Sequence, residues 1–312
     1  MATSGVLRVS SIFRPNLFRG KVAIVTGGAT GIGKAVAEEL LYLEEENAAV
    51  MKFVDSAGCS VMIASRNEDN LKNAVTDFQG RILPEKEKDR ATFVPCNIRK
   101  EDQVKALFRH TLEKHGRLDF LVNNGGGQFL STADSISLKG WNAVVETNLT
   151  GTFLMCREAY QHWMEEHGGA IVNIIMENSR GFPLAAHSGA ARAGVENLTR
   201  SLSIEWAASG VRVNALMPGT IYSESAAKNY QGDLFKLIRP RLPAKRTGTT
   251  QEVSSAVCFL LSPGATYVSG ATLNVDAAGQ FYPAVTLEIP EHDRWPRHDS
   301  CSGDETKVPP EQ

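Results

Sequence analysis

From Lys21 onward, short apolar runs alternate along the chain with stretches in which apolar residues recur at helical spacing. The runs Val22–Val25, Ser60–Ala64, Thr92–Cys96, Asp119–Val122, Ala170–Ile175, Arg212–Leu216 and Thr272–Val275 read as buried strands. Between them, sets such as Leu71, Ala74 and Val75, or Val104, Leu107, Phe108 and Leu112, put an apolar stripe on one helix face. This rhythm predicts an α/β protein with one doubly wound parallel sheet and helices on both faces. Beyond it, Pro283, Pro290, Pro296, Pro309 and Pro310 interrupt a polar, charge-rich stretch. The expected organisation is an N-terminal arm over 1–19, one domain over 20–282 and an extended or partly disordered tail over 283–312.

Composition narrows the function. In 312 residues, 33 basic against 35 acidic side chains leave a formal charge of −2, and no local basic patch stands out for nucleic acid. Cys59, Cys96, Cys156, Cys258 and Cys301 show no zinc-like spacing, so no metal site is expected and a reducing compartment fits. No run approaches the ~18 apolar residues of a membrane span, and residues 1–20 lack a signal-peptide core. Arg8, Arg14 and Arg19, with serines and no acid before Glu38, resemble a mitochondrial transit peptide, with a frayed arm as the plainer alternative.

The chemistry begins after the first strand, in Thr26-Gly27-Gly28-Ala29-Thr30-Gly31-Ile32-Gly33. Side-chain-free positions between a strand and a helix let backbone amides and the helix dipole meet a pyrophosphate, the Rossmann-like reading of Gly27, Thr30, Gly31, Ile32 and Gly33. Asn123-Asn124-Gly125-Gly126 follows the fourth strand, Thr147-Asn148 lies in the next long helix, and Pro218-Gly219 follows the sixth strand. In this order and spacing the chain resembles the short-chain dehydrogenase/reductase superfamily. Within it, NNGGGQFL (123–130), FPLAAHSGAARAGV (182–195), PAKR (243–246) and EHDRWP (291–296) resemble the peroxisomal trans-2-enoyl-CoA reductases over roughly residues 18–298.

The resemblance implies a nicotinamide cofactor held also by Asn124, Gly125, Gly126, Pro218, Gly219 and Ile221. Which one depends on the end of the second strand, where a carboxylate favours NAD and an arginine accommodates the 2′-phosphate of NADPH. Two segments compete: Ala49–Val54 ending at Asp55, and Ser60–Ala64 ending at Ser65-Arg66. The second leads straight into a helix and matches the family, so NADPH is expected and 44–57 becomes an insertion. Asn97, after the third strand, stands where the superfamily has an aspartate near the adenine.

Most of the superfamily uses a YxxxK pair; here Ser188 stands in the tyrosine's place and Arg192 in the lysine's. A serine hydroxyl donates a hydrogen bond but is a poor acid for a developing alkoxide. Reduction of an enoyl thioester asks instead for donors at the thioester oxygen. The resemblance therefore implies reduction of trans-2-enoyl-CoA esters, with Asn148 and Ser188 at that oxygen and Arg192 on the ribose. Tyr222 is a candidate proton donor, with packing in the lid as its alternative; His187 stands between a proton relay and simple packing; Glu177 is assigned no role. Glu196 and Arg200, where a second YxxxK register would fall, read as an i,i+4 ion pair. The resemblance implies a lid over Ser223–Arg246: Lys228, Lys236, Arg239, Arg241, Lys245 and Arg246 suit coenzyme A phosphates or a solvated face, and Ile221, Leu234, Phe235, Leu237 and Ile238 suit an acyl channel. A 2,4-dienoyl-CoA reductase and a catalytically silent NADPH-binding protein are the rival functions. Superfamily habit implies a homo-oligomer, a tetramer. The family's address is peroxisomal, yet the chain ends Pro310-Glu311-Gln312 with no SKL-type tripeptide, so mitochondrion and cytosol stay open.

Overall fold

The computed structural model describes residue 13 and residues 17–42, 58–178, 180–229, 234–282 and 287–298. Seven strands form one parallel sheet in the order β3-β2-β1-β4-β5-β6-β7. They are β1 (Val22–Thr26), β2 (Ser60–Ser65), β3 (Ala91–Pro95), β4 (Phe120–Asn123), β5 (Gly169–Ile174), β6 (Val211–Pro218) and β7 (Thr272–Val275). Each predicted run contributes a strand. β2 takes its register against β1 through Val22 opposite Ser60 and Thr26 opposite Ala64, so the sheet position beside β1 belongs to the segment ending at Ser65-Arg66. The insertion over 44–57, with its alternative strand, lies outside the described residues.

Both faces are covered because successive side chains of a strand point opposite ways and both sets are apolar. Ala23, Val25, Val61 and Ile63 pack with α1 (Gly31–Tyr42), α2 (Glu68–Arg81) and the later helix Thr250–Leu261, around Val36, Leu40, Phe78 and Val257. Ile24, Met62 and Ala64 pack on the other side with α3 (Glu101–His115), α4 (Leu138–Val145) being followed there by the π-helical turn Glu146–Thr150 and α5 (Gly151–Ala159). A second π turn, Tyr160–Met164, leads into α6 (Glu165–His167); α7 (Ala186–Glu205), α8 (Glu224–Asn229), α9 (Leu234–Ile238) and α10 (Thr250–Leu261) complete the helices. Local signals fix their ends. The Asn67 side chain accepts the Asn70 amide to start α2, Gly116 ends α3 in the left-handed region, and Thr249 with Glu252 forms a capping box on α10.

Three contacts refine the expected boundaries. Phe18 is buried edge-on against Phe120, with Leu17 packed nearby, so the core reaches into the end of the expected arm. Arg90 is buried, pairs with Glu87 at 2.8 Å and donates to Leu41 O at 2.8 Å and Cys59 O at 3.1 Å, clasping together the two chain ends that flank residues 43–57. Residues 287–298 contain neither helix nor strand but are pinned: Glu291 accepts from Arg239 at 2.6 Å, His292 Nε2 meets Pro243 O at 2.9 Å, and His298 Nε2 meets Ser255 Oγ at 3.1 Å. Partners in 239–255 hold this part of the tail in place.

Candidate active site

The strand order reverses between β1 and β4, and a crevice opens beyond the carboxyl ends of these strands. Two turns meet there. Thr26 Oγ1 accepts the backbone amides of Asn124 at 3.0 Å and Gly125 at 2.8 Å, and Asn124 Nδ2 returns a bond to Thr26 O at 3.1 Å. Gly27 has φ +64°, and a Cβ there would lie 2.7 Å from Asn124 Nδ2; one on Gly33 would overlap Gly27 O. These glycines are needed for the turn to close, and it delivers the amides of Thr30, Gly31, Ile32 and Gly33 at the positive end of α1. The cradle therefore fits the diphosphate of a dinucleotide.

The other expected cofactor contacts are distributed around it. Arg66 is exposed directly after β2, and Ser65 Oγ bonds Asn67 O at 3.5 Å. Asn97 is half-buried, its side-chain oxygen accepting the Arg99 amide at 3.2 Å, so that oxygen also shapes its own turn. Gly219 donates to Val275 O at 3.0 Å, and a Cβ at 219 would stand 2.8 Å from Asp276 Cβ. Ile221 bridges to Gly248. Two serines that sequence reasoning passed over also reach the cradle: a Cβ on Gly31 would lie 3.1 Å from Ser225 Oγ and 3.4 Å from Ser223 Oγ. Their signal was the pair of hydroxyls just after Pro218-Gly219-Thr220-Ile221-Tyr222.

Beside this crevice the π turn and α7 bring three predicted residues together. The π turn brings in fully buried Asn148, whose Oδ1 accepts Gly127 N at 2.9 Å and whose Nδ2 donates to Gly127 O at 3.0 Å and Ser188 Oγ at 3.4 Å. The Ser188 hydroxyl is buried and donates to Gln128 Oε1 at 2.8 Å, with Met176 Sδ at 3.4 Å. Arg192 donates through Nη1 to Ile174 O, and a Cβ on Gly126 would overlap Arg192 Nη2 and lie 2.8 Å from Asn148 Oδ1. Gly126 thus leaves the space that the guanidinium fills. Gln128 is a site residue missed from the sequence, although it sits inside the quoted NNGGGQFL segment.

Tyr222 is placed differently. Its ring packs edge-on against Phe235 at 5.3 Å and is 47% exposed, the lid-packing alternative. His187 is fully buried, its Nδ1 accepting the Ser188 amide at 2.9 Å and its ring meeting Phe129 at 4.4 Å. Glu177 is half-buried beyond β5. Glu196 pairs with Arg200 and accepts from Thr272 Oγ1 at 3.1 Å, so it faces β7. In the segment expected as a lid, Arg239 pairs with Glu291, Arg246 with Glu252, and buried Lys245 donates to Pro240 O at 2.7 Å. Lys228, Lys236 and Arg241 are exposed.

Nucleophilic thiol chemistry finds no support among the described residues. Burial pushes the Cys96 thiol up to about 11 and the Cys156 thiol up to about 12, and raises Cys59 and Cys258 as well. Among the described residues no group of three or more His, Cys, Asp or Glu side chains is arranged to hold a metal ion, and no helix is long and apolar enough to cross a membrane.

A doubly wound sheet with a glycine cradle at its switch point and a Ser188–Asn148–Arg192 cluster beside it defines an oxidoreductase that works with a nicotinamide dinucleotide. A family model described as enoyl-(acyl carrier protein) reductase matches residues 27–278, and the chain belongs to this short-chain dehydrogenase/reductase family. It is 33% identical over 287 residues to the peroxisomal 2,4-dienoyl-CoA reductase [(3E)-enoyl-CoA-producing] of Danio rerio, covering 90% of this chain and 88% of the relative. It is 32% identical over 268 residues to glucose 1-dehydrogenase 2 of Bacillus subtilis, covering 85% and 96%. Among solved structures, the citronellol catabolism dehydrogenase of Pseudomonas aeruginosa superposes with a TM-score of 0.71 at 39% identity, over 86% of this chain and 99% of that one.

Proposed function

We propose that the protein uses NADPH to reduce the 2,3-double bond of trans-2-enoyl-CoA esters. The observation that carries this reading is the buried Ser188 hydroxyl, which shares its surroundings with two side-chain amides, Gln128 and Asn148, rather than with a phenol. Such a site offers hydrogen bonds to an oxygen that gains charge and lacks an acid suited to an alkoxide. Gly27, Gly31 and Gly33 would hold the diphosphate, Arg66 the 2′-phosphate and Arg192 the ribose. A reduced nicotinamide bound there would supply a hydride to the β-carbon of the conjugated alkene, and a proton from water would then reach the α-carbon of the enolate so formed. Ser188 turns its hydroxyl from Gln128 toward the thioester oxygen, Asn148 keeps Ser188 and the Gly127 backbone in register, and Arg192 keeps a fixed positive charge beside them.

Reduction of 2,4-dienoyl-CoA esters is the second reading, favoured by the relatives that carry that name. The glucose dehydrogenase relatives support only the shared hydride-transfer framework. The test presents trans-2-enoyl-CoA and 2,4-dienoyl-CoA of equal length to purified protein with NADPH and with NADH. Faster turnover of the enoyl ester with NADPH is expected; faster turnover of the dienoyl ester reverses the order of the readings. NADPH binding without turnover of either ester means a silent protein. A peroxisomal location and a tetrameric assembly complete the proposal, and fractionation and sedimentation test them.

A further inference from the structure

We infer that Phe129, Leu130 and Leu184 form a shelf for the acyl chain, which makes the enzyme favour thioesters whose chain extends beyond four carbons. The inference rests on the acyl-thioester reading above. These three side chains are 41%, 45% and 49% exposed, although each is large and apolar. Two loops bring them together, since Ser131 N donates to Leu184 O at 2.7 Å. Both loops end at the reacting cluster: Phe129 directly follows Gln128, which accepts the Ser188 hydroxyl, and Leu184 precedes the start of α7 that carries Ser188. A thioester oxygen held at Ser188 therefore has this apolar surface within reach of its chain.

The shelf is built rather than incidental. The Phe129 ring stands edge-on to buried His187, and a Cβ on Gly140 would lie 2.9 Å from Phe129 Cζ, so the ring is held from two sides. Leu184 has φ +66°, a left-handed conformation strained for a branched side chain, and it presents that side chain to solvent. Backbone strain combined with exposed apolar surface beside a reactive centre marks a ligand contact. A polymethylene chain is the occupant that matches: the three exposed side chains are apolar, and their loops run directly from Gln128 and into the helix that carries Ser188.

The test is calorimetric binding of butanoyl-, octanoyl- and dodecanoyl-CoA to the full-length protein, to Leu184→Asn and to Leu130→Ser. Asparagine tolerates the left-handed backbone, so the first variant removes the apolar surface without new strain. Affinity should rise at least ~10-fold from butanoyl to dodecanoyl in the wild type, because each buried methylene is worth about fourfold. Both variants should lose most of that rise while melting within a few degrees of wild type; if Leu184→Asn fails to fold, Leu130→Ser carries the comparison. A flat wild-type series, or a rise that survives in the folded variants, overturns the shelf. So does a change in sedimentation with an unchanged series, which would make the patch a contact between copies. Failure of the wild type to bind any of the three esters overturns the acyl-thioester reading itself.

Discussion

At Ser188 a single hydroxyl proton is donated to Gln128 Oε1, and on the proposed function it is the donor that turns to the thioester oxygen. Ser188→Ala removes that donor and leaves the glycine cradle untouched. Turnover of an enoyl thioester should fall about 100-fold, while NADPH affinity, read from cofactor fluorescence, stays within twofold. A parallel loss of NADPH binding would show that Ser188 supports the fold of the site instead. A different residue-scale effect belongs to the turn after β7. Ala277 and Ala278 have φ +50° and +63°, conformations that cost an L-residue roughly 1–2 kcal/mol. Asp276 holds the turn by accepting the Ala278 amide at 3.1 Å and the Gln280 amide at 2.9 Å. Ala278→Gly relieves the strain at some cost in chain entropy, for a net gain of about 1 kcal/mol, so the melting temperature should rise by roughly 2–4 °C.

Between elements, α1 and α2 are tied by Asp77, which meets Arg81 and Lys34, and by Arg81 with Glu38 at 2.6 Å. The Arg81 hydrogen bond, helped by Lys34, lowers the Asp77 carboxyl from 3.8 to about 2. Because the folded value is depressed, its stabilisation is complete above the unfolded value and is lost as pH falls through the folded one. Asp77→Asn should therefore lower the melting temperature equally at pH ~5 and ~7, and the gap to wild type should close between pH ~4 and ~2. Solvent screening keeps the effect at about 1 kcal/mol or less. A gap that persists at the acid end would assign the effect to packing.

The end of β2 gives another element-scale expectation. Since β2 ends at Ser65, Arg66 rather than Asp55 follows the strand beside β1. Arg66→Ala should raise KM for NADPH by about 10–100-fold, the worth of charge-assisted bonds to a phosphate, and leave KM for NADH nearly unchanged. Equal effects on both would remove the 2′-phosphate contact. The strands were legible because runs such as Val22–Val25 and Val61–Ala64 are apolar on both faces and bounded by turn signals. Ser188, Asn148 and Arg192 were implied by the resemblance to the superfamily, and the structure brings them together. Gln128, Ser223 and Ser225 were not, since nothing in an isolated loop says which hydroxyl or amide turns inward; that depends on how the loops after β4 and β6 stack on the glycine turn. The pairing of Arg246 with Glu252 and of Arg239 with Glu291 was not legible for the related reason that these side chains meet only in the folded chain.

Across the whole molecule, the sheet supplies a rigid base and the substrate side is assembled from connecting segments. The glycine turn, the loop after β4, the π turn and the start of α7 are laced by hydrogen bonds from Thr26, Asn124, Asn148 and Ser188. Ser223 and Ser225, after β6, lie against Gly31, and further along the chain Arg239 and Arg246 are held to the tail at Glu291 and Pro296. On the proposed function, this arrangement stabilises charge on an acyl oxygen without a phenolic acid. The most direct measurement is NADPH consumption by the purified protein with crotonyl-CoA and, in parallel, with a simple ketone of similar length. The enoyl thioester should be consumed at least ~100-fold faster, the order of one lost or gained oxyanion donor; a ketone reduced equally fast, or no consumption of either by protein that binds NADPH, would contradict stabilisation of charge on an acyl oxygen.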